Sequence, residues 1–131
     1  MIRKLHLILA VASVFSACEK DEIVDPMVVA VPVTMTVADF RASVEIVEPI
    51  EVEQSGKIYT YGDYIFVNDL LKGVLILDNS NYNPVKKKYI KIPANTDVAI
   101  KDDILYANSG RDLVTFDISD IDNIKELGRL E

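Results

Sequence analysis

One stretch of this chain occurs twice, and that duplication constrains the fold more than any other feature. The first copy runs from Ile58 to Ile92 and the second from Val98 to Glu131. Asp63 matches Asp103, Phe66 matches Tyr106 and Asn68 matches Asn108. After one residue is lost from the next turn, Asp78 matches Asp117, Ser80 matches Ser119 and Lys86 matches Lys125. A period of about 40 residues marks a repeat architecture, and four short strands per ~40–45 residues is the size of a propeller blade.

Each copy divides into four strands. Strand a is Ile58–Tyr61, matched by Val98–Lys101, and the turns Gly62-Asp63 and Asp102-Asp103 reverse the chain. Such two-residue hairpins need positive φ, which Gly gives freely and Asp tolerates. Strand b is Tyr64–Asn68, matched by Ile104–Asn108. Strand c is Val74–Leu77, matched by Leu113–Phe116, and Asp78 and Asp117 end these strands. The turns that follow, Asn79 to Pro84 and Ile118 to Asn123, carry short polar side chains that can bond their own backbone. Strand d is Val85–Ile92 and contains Lys86, Lys87 and Lys88, which read as guards on an exposed strand edge.

Val74, Leu75, Ile76 and Leu77 are apolar in succession, as are Ile65, Phe66 and Val67. A strand with such a run needs cover on both faces. Blades stacked face to face supply it. The expected fold is therefore all-β, with antiparallel four-stranded blades, about two in tandem, preceded by a short helix. That helix is expected over Thr36–Val44, with Thr36 as N-cap and Asp39 at N3, and with Phe40 and Val44 on the face that docks on the body. Glu45–Glu53, with Ile46, Ile50 and Val52 apolar, reads as a strand. It aligns with strand d of the repeat, so it is expected to act as a ring-closing strand beside the last blade.

Charge and residue types exclude several functions. The chain holds 14 Lys and Arg against 21 Asp and Glu, a formal charge of −7. A surplus of acid argues against binding a phosphate backbone. The only His is His6 and the only Cys is Cys18. Beyond Cys18 there is neither imidazole nor thiol, which removes Ser-His-Asp and Cys-His catalysis and His- or Cys-based zinc sites. Asp120 and Asp122 raise a calcium reading, but their counterparts are Asn81 and Asn83 and the EF-hand ligand pattern is absent. Tyr59 and Tyr61 share a strand face, where they could form a platform for sugars or peptides or pack between blades.

The N-terminus reads as a targeting segment. Arg3 and Lys4 precede an apolar run from Leu5 to Phe15. Leu5 to Ala17 would span about 20 Å as a helix, short of a ~30 Å membrane core. Phe15-Ser16-Ala17-Cys18 resembles a lipobox, in which the leader is cut before Cys18 and that Cys is lipidated; Phe15 stands where Leu is more usual. Glu19-Lys20-Asp21-Glu22 resembles an acidic export signal that sends lipoproteins of some Gram-negative groups to the outer cell surface. The divisions are a signal peptide over 1–18, an acidic extended tether over 19–35, a helix and closing strand over 36–56, one blade over 57–96 and a second over 97–131.

Gly73-Val74-Leu75-Ile76-Leu77-Asp78-Asn79-Ser80 and Asp112-Leu113-Val114-Thr115-Phe116-Asp117-Ile118-Ser119-Asp120 resemble the LVIVD repeat, in which an apolar strand leads into Asp-Ile-Ser-Asp-Pro-like turn residues. The resemblance covers about residues 45–131, with Ile121 and Asn123 where Pro is common. It implies a β-propeller lipoprotein of the Gram-negative envelope, anchored in the outer membrane through Cys18 and serving as a binding or scaffold module for a protein or glycan. It supplies no catalytic, cofactor or metal residue. Closed propellers need at least about four blades, so the chain reads as a partial or truncated member. Its two outer faces would stay open, with Leu75, Ile76 and Phe116 among their candidate residues. The competing functions are a propeller hydrolase or lyase using Asp63, Asp69, Asp103 and Asp112 in a central channel, and a non-functional fragment.

Overall fold

In a computed structural model, residues 31–32 and 34–131 are described. The expected leader, Cys18 and the start of the tether lie outside the described residues. Residues 34–131 form one compact unit. It contains a short helix, α1 (Val37–Ala42), and nine strands: β1 (Glu45–Val47), β2 (Ser55–Tyr61), β3 (Tyr64–Asp69), β4 (Gly73–Asp78), β5 (Val85–Lys91), β6 (Val98–Lys101), β7 (Ile104–Ser109), β8 (Asp112–Asp117) and β9 (Lys125–Leu130). A 3-10 turn, Ile121–Asn123, precedes β9.

The fold is all-β and antiparallel. The first sheet has the order β1-β5-β4-β3-β2 and the second β6-β7-β8-β9. Each repeat is thus one four-stranded meander, and the expected strands b and c gain a residue at their ends. Asp102 and Asp103 both adopt positive φ, at 50° and 60°, and Gly62 takes 55°, as their tight turns require. The turn after strand c begins in the same way in both copies. Asp78 Oδ1 accepts from Ser80 N at 2.9 Å, and Asp117 Oδ1 accepts from Ser119 N at 3.0 Å. Asn79 N donates to Asp63 O, and Ile118 N to Asp103 O. The two Asp-x-Ser segments therefore tie strand c to the a–b hairpin of the same unit.

One continuous apolar cluster fills the space between the sheets. The first sheet supplies Phe66, Val74, Ile76 and Ile90, and the second supplies Val98, Ile100, Leu105, Ala107, Val114 and Phe116. Side chains alternate across a strand, so the pairing registers decide which face each residue joins. Phe66 pairs with Ile76, Asn68 with Val74 and Val74 with Ile90 on one face of the first sheet. Leu105 pairs with Phe116 and Ala107 with Val114 on one face of the second.

These two faces are not repeat counterparts. Phe66, Asn68, Val74 and Ile76 correspond to Tyr106, Asn108, Leu113 and Thr115, which lie on the far side of the second sheet. Leu105, Ala107, Val114 and Phe116 correspond to Ile65, Val67, Leu75 and Leu77, on the far side of the first. The second unit is therefore stacked on the first in the same sense, front on back. A two-fold sandwich would instead bring equivalent faces together.

This parity corrects the expected outer-face residues. Ile76 and Phe116 are fully buried in the core between the sheets. Leu75 faces outward from the first sheet and is buried there as well, at 4% exposure. The open apolar residues of the second sheet are Leu113, Leu127 and Leu130.

The segment before the first repeat also differs from expectation. The strand over 45–53 is confined to Glu45–Val47, and it pairs with β5, the last strand of the first sheet, in place of the last blade. Pro49 has no N–H to extend the ladder. Three ion pairs accompany the backbone ladder. Glu45 meets Lys91 at 2.9 Å, Glu48 meets Lys88 at 2.9 Å, and Glu51 pairs with Lys86. Of the lysines read as guards of a free edge, Lys86 and Lys88 are thus partners of an acidic strap, while Lys87 pairs with Asp122 of the second unit. Residues 48–54 then cross to the other edge, where Glu53 N and Gln54 N donate to Asp69 Oδ1 and Glu53 pairs with Lys72.

The helix begins as expected. Thr36 Oγ1 accepts from Asp39 N at 3.1 Å and donates to Asp39 Oδ2 at 2.7 Å, a variant of the capping box. It ends at Ala42, sooner than expected, because Ser43 Oγ donates back to Phe40 O. Val44 still packs on the core from beyond the helix end.

Candidate functional site

The repeated asparagines organise the junction between the sheets. Asn108 Oδ1 accepts from Thr96 N at 2.9 Å and from Asp97 N at 3.0 Å, closing the entry to β6. Its counterpart Asn68 approaches Gly56, the counterpart of Thr96; a Cβ on Gly56 would stand 2.6 Å from Asn68 Oδ1. Asn68 Nδ2 donates to Gly73 O at 3.2 Å and to Asn95 Oδ1, and Asn95 Nδ2 donates to Asn108 O at 2.9 Å. Leu71 N and Ala94 N exchange bonds with Asn95 O and Leu71 O, and Ser109 Oγ donates to Pro93 O. The linker Ile92–Asp97 is thereby fixed to both b–c turns. Asn68 and Asn95 are fully buried, and these bonds satisfy the Asn68 Nδ2 and both ends of the Asn95 amide, as a buried polar group requires; Asn68 Oδ1 alone is buried without a partner among the described residues. The duplication aligned Asn68 with Asn108; only the structure showed that they clasp the linker.

A groove of about 740 Å³ lies where α1 crosses the turn between β7 and β8, lined by Val37, Phe40, Arg41, Gly110, Arg111 and Glu131 among others. Phe40 lies over Gly110, where a Cβ would come within 3.3 Å of Phe40 Cζ. Arg41 Nε donates to Asp112 Oδ2 at 2.8 Å and Arg41 Nη1 to Glu131 Oε1 at 2.7 Å. Arg129 Nη1 donates to the same Asp112 oxygen at 3.2 Å. The Arg41 guanidinium, with Arg129 beside it, holds the Asp112 carboxyl below its usual range. Pockets of this size suit small ligands, and Arg41, Arg111 and Glu131 bring charge of both signs to the rim.

The four aspartates weighed as channel carboxylates are not brought together as a set. Asp69 is buried, accepting from the Tyr89 hydroxyl at 3.0 Å as well as from the strap. Asp112 is buried in its pair with Arg41 and Arg129. Asp63 and Asp103 are exposed at adjacent hairpin tips, beside a cleft of about 240 Å³ that Tyr61 and Tyr64 also line. Burial and the Asp69 bond push the Tyr89 phenol well above its ordinary value.

Tyr59 and Tyr61 join the sheets. The Tyr59 hydroxyl donates to Ile100 O at 3.3 Å, and the Tyr61 hydroxyl donates to Asp103 Oδ1 at 3.1 Å. Asp120 caps the 3-10 turn through Asp122 N, and Asp122 pairs with Lys87 at 2.9 Å, which raises the Lys87 ammonium. Among the described residues no group of three or more His, Cys, Asp or Glu side chains converges to hold a metal ion. No helix among them is long and apolar enough to cross a membrane.

Comparison of the chain with protein-family profiles, with curated proteins and with solved structures finds no match.

Proposed function

We propose that this chain is an envelope lipoprotein of the LVIVD-repeat kind, tethered to the outer membrane through Cys18. Its two stacked sheets are propeller blades that serve as a binding or scaffold module. The observation that carries the reading is the front-on-back stacking. Counterpart faces of Phe66 and Tyr106 point the same way around the array, which is how blades succeed one another in a propeller. The lipobox-like Phe15-Ser16-Ala17-Cys18 and the acidic residues behind it support the location. Two acyl chains hold a protein firmly to a bilayer where one binds marginally. The groove between α1 and the second sheet is the place for a ligand, because its lining joins the apolar side chains of Val37 and Phe40 to the guanidinium of Arg111.

The test is metabolic labelling with palmitate in a Gram-negative host. The full chain should take up label and fractionate with the outer membrane, and Cys18→Ser should abolish both. A wild-type chain that stays unlabelled and soluble contradicts the proposal.

A further inference from the structure

We propose that the open face of the second sheet is an interface for a second copy of this chain, which docks head-to-tail through the outward side of its own first sheet.

The open face is the repeat counterpart of a face that is already occupied. Phe66, Asn68, Val74 and Ile76 of the first sheet are covered by Leu105, Ala107, Val114 and Phe116 of the second. Their counterparts Tyr106, Asn108, Leu113 and Thr115 lie on the open face, where Leu113 is 39% exposed. Leu127 and Leu130 on β9 extend that face at 55% and 70% exposure. The structure therefore shows what fits such a face: a sheet presenting residues like Leu105, Ala107, Val114 and Phe116.

This chain carries one further surface of that kind. Ile65, Val67, Leu75 and Leu77 are the counterparts of the covering set, on the outward side of the first sheet. The strap over 48–54 is tied to β5 and Asp69, and Leu75 and Tyr89 on the β4–β5 side are buried. On the β2–β3 side, Ile58 remains 62% exposed and Ile65 and Val67 are half-buried. A second copy thus offers an accessible apolar strip of the right repeat type.

The contact joins different patches on the two copies, so it is heterologous. Repeated, it builds either a closed ring or an open filament. An isologous dimer would instead press two Leu113 faces together, a combination that the internal interface does not use. The proposal rests on packing alone and stands whether or not Cys18 is acylated.

The experiment uses the full chain, purified in detergent. Sedimentation should show mass rising with protein concentration. Leu113→Glu should weaken association about tenfold or more, the effect of ~1.4 kcal/mol at an interface, with its circular dichroism and melting unchanged. If Leu113→Glu fails to fold, Leu130→Glu at the more exposed position takes its place. A photo-crosslinking residue at 113, p-benzoylphenylalanine for Leu113, should give crosslinked dimers whose joined peptide contains Ile58–Val67. Crosslinks between copies that join Leu113 to the Leu113–Leu130 region would overturn the head-to-tail geometry. A wild-type chain that stays monomeric at every concentration would overturn the interface itself.

Discussion

Arg41 Nε stands 2.8 Å from Asp112 Oδ2, a bond between residues 71 positions apart that fastens the N-terminal helix to the second sheet. Because the guanidinium favours the ionised acid, the folded Asp112 carboxyl titrates below its unfolded value of about 3.9. The stability it contributes is present above the unfolded value and is lost as pH falls through the folded one. Urea midpoints of wild type and Asp112→Asn should therefore differ most near neutral pH and converge below about pH 4. A difference that stays constant from pH 7 to pH 3 would show that the pair is not the source. Asp78 and Asp117, held low by Ser80 and Ser119, add to the same acid limb.

The core between the sheets should respond to truncation on one parity only. Phe116 is fully buried, so Phe116→Ala should cost about 3–5 kcal/mol in chemical denaturation. Its neighbour on the opposite face, Leu113→Ala, should change monomer stability by roughly 0.5 kcal/mol or less. Equal losses at both positions would place the core elsewhere.

Gly73 marks a close approach of backbones. A Cβ there would lie 2.0 Å from Ile90 O, at φ +153°. Gly73→Ala must therefore spread β4 from β5 and should cost about 3 kcal/mol, within the range for overpacked sites. Gly62→Ala meets nothing within 4 Å and should cost about 1–2 kcal/mol, from its φ of +55° alone. Thermal midpoints of the two variants should rank accordingly.

Much of this architecture was legible in the sequence because it is written twice. The spacing of Asp63 and Asp103, and of Asp78 and Asp117, placed both a–b hairpins, strands a to c of each copy and strand d of the first; the match of Lys86 to Lys125 is one residue out, since Leu77 pairs with Lys86 and its counterpart Phe116 with Glu126. The Thr36-Asp39 spacing located the helix start. What the pattern could not show was which face of each sheet meets the other. Val74–Leu77 is apolar at every position, so its sequence contains no period-2 signal to tell Leu75 from Ile76. The partner of β1 was hidden for another reason. Alignment with strand d pointed to the last blade, whereas β1 pairs with β5, with Glu45, Glu48 and Glu51 set against Lys91, Lys88 and Lys86. The groove at Arg41 and Arg111 joins segments far apart in the chain, and no local spacing announces it.

The strap's ion pairs are exposed, so each should contribute only ~0.2–1 kcal/mol and should weaken with salt. Replacing Glu48 and Glu51 together by Gln should lower the melting midpoint slightly in low salt and by less at about 1 M salt, where the screening length shrinks to ~3 Å. Calorimetry at the two ionic strengths measures this. An equal loss at both would mean that the strap is held by contacts other than charge.

Methyl NOE spectroscopy most directly tests the front-on-back stacking. Val74, Ile76 or Ile90 of the first sheet should give cross-peaks to Leu105 or Val114 of the second, and none to Leu113 within one molecule. Intramolecular cross-peaks linking Ile76 to Leu113, with none to Leu105 or Val114, would mean that the opposite side of the second sheet meets the first, and the stacking described here would be wrong.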